Sequence, residues 1–238
     1  NTKMTSEALS ARLKIEKGSV FDQTLLENRL SYEPDAVNNE YLDNGYLFYQ
    51  GTPVEVNVEG DSIDIEIRIY EGPQARINKV TIVGNDRTNE HVIRREIHSK
   101  PGDLFNRSQV MRSVRELSQL GFFDAEQIVP NPTPHQEDGT VDIEYRVVER
   151  ANDQIEISGG WGAGMVIGTL GVRFGNFSAR NLFNKGAWRP LPSGDGQNLS
   201  LRAQSNGKYY QSYTASFVEP WLGGKKPNSM SVSLYHTK

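Results

Sequence analysis

Apolar residues recur along the chain with two different periods, and the change between them falls near residue 150. Before it, stretches spaced for one face of a helix separate short alternating runs; after it, alternation is the only period left. Residues 75–150 can be read element by element. Ile77, Val80, Ile82 and Val83 form a β-rich run that stops at Gly84-Asn85, a turn signal. Thr88 or Asn89 is placed to cap a helix carrying Val92, Ile93 and Ile97, which ends before Pro101-Gly102. Asn106 and Gln109 have capping-box spacing ahead of an apolar stripe of Val110, Val114 and Leu117. Gly121 is positioned to end that second helix with positive φ, and Phe122 and Phe123 to dock beneath it. Strands are expected over 124–130 and 140–148, the second alternating Val141, Ile143, Tyr145 and Val147 with Asp142, Glu144 and Arg146. The predicted order is β-α-α-β-β, with enough elements for an independent core. Ala125, Glu126, Gln127, Ile128 and Val129 are expected to form an exposed edge strand, its ladder cut short by Pro130, Pro132 and Pro134, to which an arriving strand can add.

Residues 1–72 repeat this pattern without its opening strand, which is expected upstream. At an offset of 84, Asn1 meets Asn85, Leu9 meets Ile93, Leu13 meets Ile97, Gly18 meets Gly102 and Phe21 meets Phe105. The Leu42 to Tyr46 segment then matches Leu117 to Phe122 in kind, so Asn44-Gly45 reads as a helix end rather than a hairpin turn, with Pro34 interrupting the helix before it. A hairpin comes next: Val54, Val56 and Val58 alternate with Glu55, Asn57 and Glu59, turn at Gly60-Asp61, and return as Ile63, Ile65, Ile67 and Ile69, predicting one buried face.

Beyond residue 150 five alternating runs are present, seen in Ile155 and Ile157, in Leu170, Val172 and Phe174, in Leu199, Leu201 and Ala203, in Tyr213, Ala215 and Phe217, and in Val232 and Leu234. Each is close to the ~9–11 residues that a tilted strand needs to cross a bilayer. A soluble β-sandwich alternates in the same way. Short links at Ala163-Gly164, Asn206-Gly207 and 221–227 imply up-and-down order. Phe174, Phe177, Phe183, Trp188, Phe217 and Trp221 gather at one set of strand ends, as an interfacial girdle does, together with Arg180, Lys185, Arg189, Lys225 and Lys226. Residues 176–197, the longest link, are therefore expected on the side of the repeats, and Asn206-Gly207-Lys208 on the opposite side. Five strands do not close a barrel, so a partial barrel is expected.

Composition sharpens the division. Net charge is only −4 over 238 residues, which gives no nucleic-acid footprint, but residues 1–150 hold 17 Lys and Arg against 26 Asp and Glu, and residues 151–238 hold 9 against 4. Two different surfaces are joined near residue 150. Cysteine is absent, which excludes disulfides and thiolate metal sites. No run of 18 apolar residues suits a transmembrane helix, and the polar start does not read as a signal peptide.

The repeat carrying GN, PGDLF, a helix ending LGFF and a last strand VDIEYRVVE resembles the polypeptide-transport-associated (POTRA) repeat. The C-terminal segment, including GNFSARNLFNKGAW and SFVEPWLGG, resembles the opening strands of BamA-type outer-membrane assembly factors, most closely of the Bacteroidetes kind. The resemblance implies an α+β POTRA repeat lacking its first strand at 1–72, a barrel-proximal POTRA repeat at 73–150, and the first antiparallel strands of a transmembrane β-barrel at 151–238. It further implies a barrel of about sixteen strands, an arginine-bearing inward loop further on, and a non-enzymatic role in the bacterial outer membrane with the repeats in the periplasm. The implied partners are unfolded outer-membrane protein clients, periplasmic chaperones, accessory assembly subunits and the lipid bilayer. A two-partner-type secretion pore, also POTRA plus barrel, is the alternative, and an adhesin-like structural protein a third class.

No catalytic set emerges from the residues. Gly160-Trp161-Gly162-Ala163-Gly164 has the look of a dinucleotide loop, but glycines and alternation continue where a helix has to begin, so no cofactor is expected. His91 and His98 lack a third ligand nearby and read as surface histidines rather than a metal pair. The expected working surface is the first barrel strand, Ile155, Glu156, Ile157, Ser158, Gly159, Gly160 and Trp161. Gly159, Gly160, Gly162 and Gly164 weaken its pairing across a barrel seam and leave an edge for a client strand. Close packing around Trp161 is the competing reason for those glycines.

Overall fold

In a computed structural model the described residues are 3–162, 165–188, 190–207 and 209–238. Asn1 and Thr2, the Ala163-Gly164 turn, Arg189 and Lys208, each of which carries a sequence expectation, lie outside them. Contact density divides the chain into two compact units: Asn1–Thr81 with Ile97–Val114 and Pro130–Tyr145, and Ile82–Glu96 with Arg115–Val129 and Arg146–Lys238. The division runs through the second repeat.

The first repeat begins with helix α1 (Ser6–Leu13), whose N-cap Thr5 accepts a hydrogen bond from the Ala8 N–H at 3.3 Å. Asp22 caps α2 (Gln23–Glu27), which continues into a π-helical turn at Asn28–Tyr32. Glu33 is extended, as a residue before Pro34 has to be, and helix α3 (Val37–Asp43) restarts beyond it. That helix ends where its glycine predicts: Gly45 has φ +87°, and the Tyr46 N–H reaches back to the Tyr41 carbonyl at 3.0 Å. Gly121, at the matching place in the second repeat, has φ +75°. Leu9, Leu26, Leu30, Val37 and Tyr41 form the core, with Ile65, Ile67 and Ile69 packed against it.

Strands β1 (Gln50–Glu59) and β2 (Ser62–Tyr70) form the expected antiparallel hairpin, but its two apolar rows share a face only between the bulge and the turn. Val54 lies opposite Glu66 and Glu55 opposite Ile65, and a bulge at Val56 then brings Val58 opposite Ile63. Directly opposed residues share a face, so Val54 lies away from the isoleucines that line the core and Val58, beyond the bulge, lies on their side; Val56 and Val58 are both exposed.

The second repeat holds β3 (Arg76–Val83), α4 (Glu90–Arg94), α5 (Arg107–Gln119), β4 (Val129–His135) and β5 (Thr140–Arg146), with sheet order β3-β5-β4. Asn106 Oδ1 accepts from the Gln109 N–H at 2.8 Å, as its spacing predicts. Val141, Ile143, Tyr145 and Val147 are all buried. One element is corrected. Ala125, Glu126 and Gln127 form a turn of 3₁₀ helix, not an edge strand, because Asp124 caps it, accepting from the Glu126 N–H and the Gln127 side-chain amide. Ile128 comes next as a buried extended residue, and the strand begins only at Val129, running through the three prolines instead of stopping at them.

The remaining strands are β6 (Gln154–Gly162), β7 (Met165–Phe177), β8 (Gln197–Ser205), β9 (Gln211–Glu219) and β10 (Met230–Thr237). They form one antiparallel sheet in the order β10-β9-β8-β7-β6, the up-and-down order expected.

Candidate functional site: an exposed sheet edge and the loop that anchors its sheet

Cross-strand register sorts the five-stranded sheet into two unlike faces. One row runs Ile155, Val172, Leu201, Ala215, Leu234, and the next on that face runs Ile157, Leu170, Ala203, Tyr213. Between them, on the other face, lies Glu156, Gly171, Arg202, Thr214, Tyr235. Ile155, Ile157 and Leu234 are 74%, 78% and 70% exposed, so the apolar face is uncovered across the sheet. A face of that breadth is out of place in water and is what lipid requires of barrel strands. On the polar face Arg202 and Glu156 pair at 3.2 Å across Gly171, where a Cβ would press on Glu156. Among the described residues no helix is long and apolar enough to cross a membrane.

The predicted site residues from Ile155 to Trp161 all lie on β6, the edge strand of this sheet. At Gly160 an added Cβ meets nothing within 4 Å, at Gly159 only the Ile167 carbonyl oxygen at 3.9 Å, and neither has positive φ. Trp161 is 77% exposed. Neither crowding nor backbone conformation therefore requires these two glycines.

The functional cluster missed in the sequence is the loop at 192–196, Pro-Ser-Gly-Asp-Gly, within the longest link. A bulge between Phe174 and Phe177 leaves Asn176 left-handed at φ +57°. Its amide donates to Thr88 Oγ1 at 2.8 Å and its Oδ1 accepts from the Gly196 N–H at 2.9 Å. Buried Asp195 accepts from Asn89 Nδ2 at 2.7 Å and from Ser178 Oγ at 2.6 Å, with His91 Nε2 3.5 Å away. Asn89, expected as a helix cap, makes no cap bond and spends its amide here. Glu149 accepts from the Arg87 and Thr88 N–H groups at 2.8 and 2.6 Å, closing the same corner. The hint in the sequence is a glycine pair flanking an aspartate; Ser178 and Asn176 lie 17 and 20 residues from their partners in the loop, but Asn89 lies 106 residues from Asp195.

Trp221, expected in an aromatic girdle, has another role. Its Nε1–H donates to Glu96 Oε1 at 3.1 Å, and the Arg95 guanidinium lies 5.2 Å from its ring centroid. Phe177 is buried, edge-on to Phe217, whereas Phe183 and Trp188 remain exposed. His91 and His98 gather no metal set; among the described residues no group of three His, Cys, Asp or Glu is placed to hold a metal ion.

Burial holds the Glu96 carboxyl above its ordinary value against the opposing pull of Arg95, and burial lowers Arg95 in turn. Desolvation thus outweighs the Arg95–Glu96 pairing. A carboxyl raised by folding stabilises the fold below its unfolded value, and that contribution is lost as pH rises through the folded one. Wild type is therefore expected to gain stability relative to Glu96→Gln as pH falls from neutral into the window above 4.5, the ordinary value for this group. Thermal melts of both proteins between about pH 4 and about pH 7.5, a range that brackets glutamate titration, check it. A pH-independent difference contradicts the assignment.

The comparisons agree with this geometry. Residues 75–150 match the POTRA family, described as a surface antigen variable number repeat. POTRA repeats leading into an antiparallel sheet with a bare apolar face define a POTRA-bearing outer-membrane β-barrel protein. The outer membrane protein assembly factor BamA of Neorickettsia risticii is 34% identical over 179 residues, covering 74% of this chain and 22% of that protein. BamA of Nitratidesulfovibrio vulgaris is 26% identical over 217 residues, 91% of this chain and 25% of the relative. The crystal structure of BamA from Haemophilus ducreyi lacking POTRA domains 1–3 shares the fold, with TM-score 0.73 and 21% identity, covering 97% of this chain and 40% of that one. The chain belongs to the BamA-type family and spans a quarter or less of the length of these two sequence relatives.

Proposed function

We propose that this chain is the repeat-and-first-strands part of an outer-membrane protein assembly factor. In this reading residues 1–72 and 73–150 are periplasmic POTRA repeats and 151–238 are the opening strands of the barrel. The repeats receive unfolded β-barrel clients from periplasmic chaperones, accessory subunits assist, and the client strand pairs along β6 at the barrel seam. The protein acts by binding and templating, not by enzymatic turnover.

The observation that carries the reading is the β6 edge. A lipid-exposed edge leaves backbone N–H and C=O groups without partners, and a client strand supplies them. Glycines that no local contact demands keep that edge weakly held on its other side.

The test uses photoreactive residues in the full-length protein during client insertion. Substitution at Glu156 or Ser158 in β6 is expected to capture an inserting client, and substitution at Ser200 in the middle of the sheet is not. Capture from Ser200 and Thr214 on the polar face, with none from β6, favours a secretion pore carrying its substrate through the lumen and overturns the seam reading.

A further inference from the structure

We infer that the open edge of β4 is closed to backbone pairing, so that neither a client strand nor a second copy of this chain adds to the repeat along residues 129–135. Among the described residues β4 is the outer strand of its sheet, paired on one side with β5. It runs unbroken through Pro130, Pro132 and Pro134. In a strand the N–H and C=O of one residue point to the same side, and successive residues alternate sides. A proline in a paired strand has to turn its nitrogen away from the partner. Spacing of two then puts all three prolines on the same side, with Asn131 and Thr133 facing β5.

The outer edge between 130 and 134 therefore presents carbonyl oxygens and no N–H. An added strand needs both. Its own carbonyls opposite the prolines would lose water and gain no donor, and an unmade bond costs more than a made one returns. Burial does not close the edge, since Asn131, Pro132, Thr133, Pro134 and His135 are exposed. The closure is chemical. Edge β6 differs, carrying no proline from Gln154 to Gly162. Strand addition is thereby directed away from β4, which deepens the proposed function but does not depend on it, because no client is needed to test the edge.

Hydrogen exchange in the full-length protein reads the geometry directly. The Asn131 and Thr133 amides are expected to exchange at least about ten-fold slower than unstructured ones. In the variant P130T/P132T/P134T that protection persists while the three new amides exchange freely. The probe is a synthetic ten-residue peptide of alternating valine and threonine with a photoreactive group. Its capture at 129–135 is expected to rise roughly five-fold or more in the variant, the equivalent of at least one net hydrogen bond. P132T alone serves if the triple variant does not fold. Free exchange at Asn131 and Thr133, equal capture by the wild type, or no gain in a variant that keeps its protection each overturns the inference.

Discussion

Replacing Phe123 with alanine is expected to destabilise the second repeat by about 3–5 kcal/mol. The ring is 1% exposed, packs edge-on to Phe122 at 6.3 Å between centroids, and sits beneath the left-handed Gly121 that ends α5. Its backbone bridges Glu149, and the next N–H, of Asp124, bonds the Val148 carbonyl at 2.9 Å. The cavity is therefore fenced by bonded backbone and has little means of collapsing. Phe122→Ala is expected near the lower end of the same range, its side chain being slightly less buried. Urea titration of the full-length protein, followed by hydrogen exchange at Val141 to Val147, measures both. A loss below about 1 kcal/mol for Phe123→Ala removes its docking role.

Gly84→Ala is expected to cost about 4 kcal/mol or more, beyond what most single substitutions do. Gly84 has φ +93°, a conformation that costs an L-residue about 1–2 kcal/mol by itself. A Cβ here would also run into the Val147 carbonyl oxygen, beside the Val147 N–H bond to the Val83 carbonyl at 2.9 Å. Gly60→Ala is the control. Its φ is +57°, but the space around it is open, so it reports backbone strain alone. Equal losses at the two positions in the same titration show that the backbone contact contributes nothing.

What could be read in the sequence was whatever a few neighbouring residues decide among themselves. Gly45 and Gly121 end their helices because only glycine takes left-handed φ without strain, and the pattern around each is local. The alternation of β5 and the up-and-down order of β6 to β10 arise from a period of two and from short links. The bulge at Val56 is not legible in this way, because it is decided by what lies opposite, not by what lies alongside. Strand β4 begins and ends later than its residues suggest, because Ile128 and Val129 look strand-like and prolines look like breakers. Asp124 capping and an edge position reverse both signals. The Asp195 loop was invisible, since Asn89 and Thr88 meet it only once the chain has folded.

Glu149 gives β6 a short leash. Its carboxylate is pinned to two consecutive N–H groups, at Arg87 and Thr88, and β6 starts at Gln154. Five residues, fully stretched, reach at most about 17 Å. Gln154, the first residue of β6, therefore lies within that reach of Glu149, whose carboxylate is bonded beside the Asn89 that meets the 192–196 loop. The base of β6 is thereby tied closely in sequence to the corner that holds the 192–196 loop.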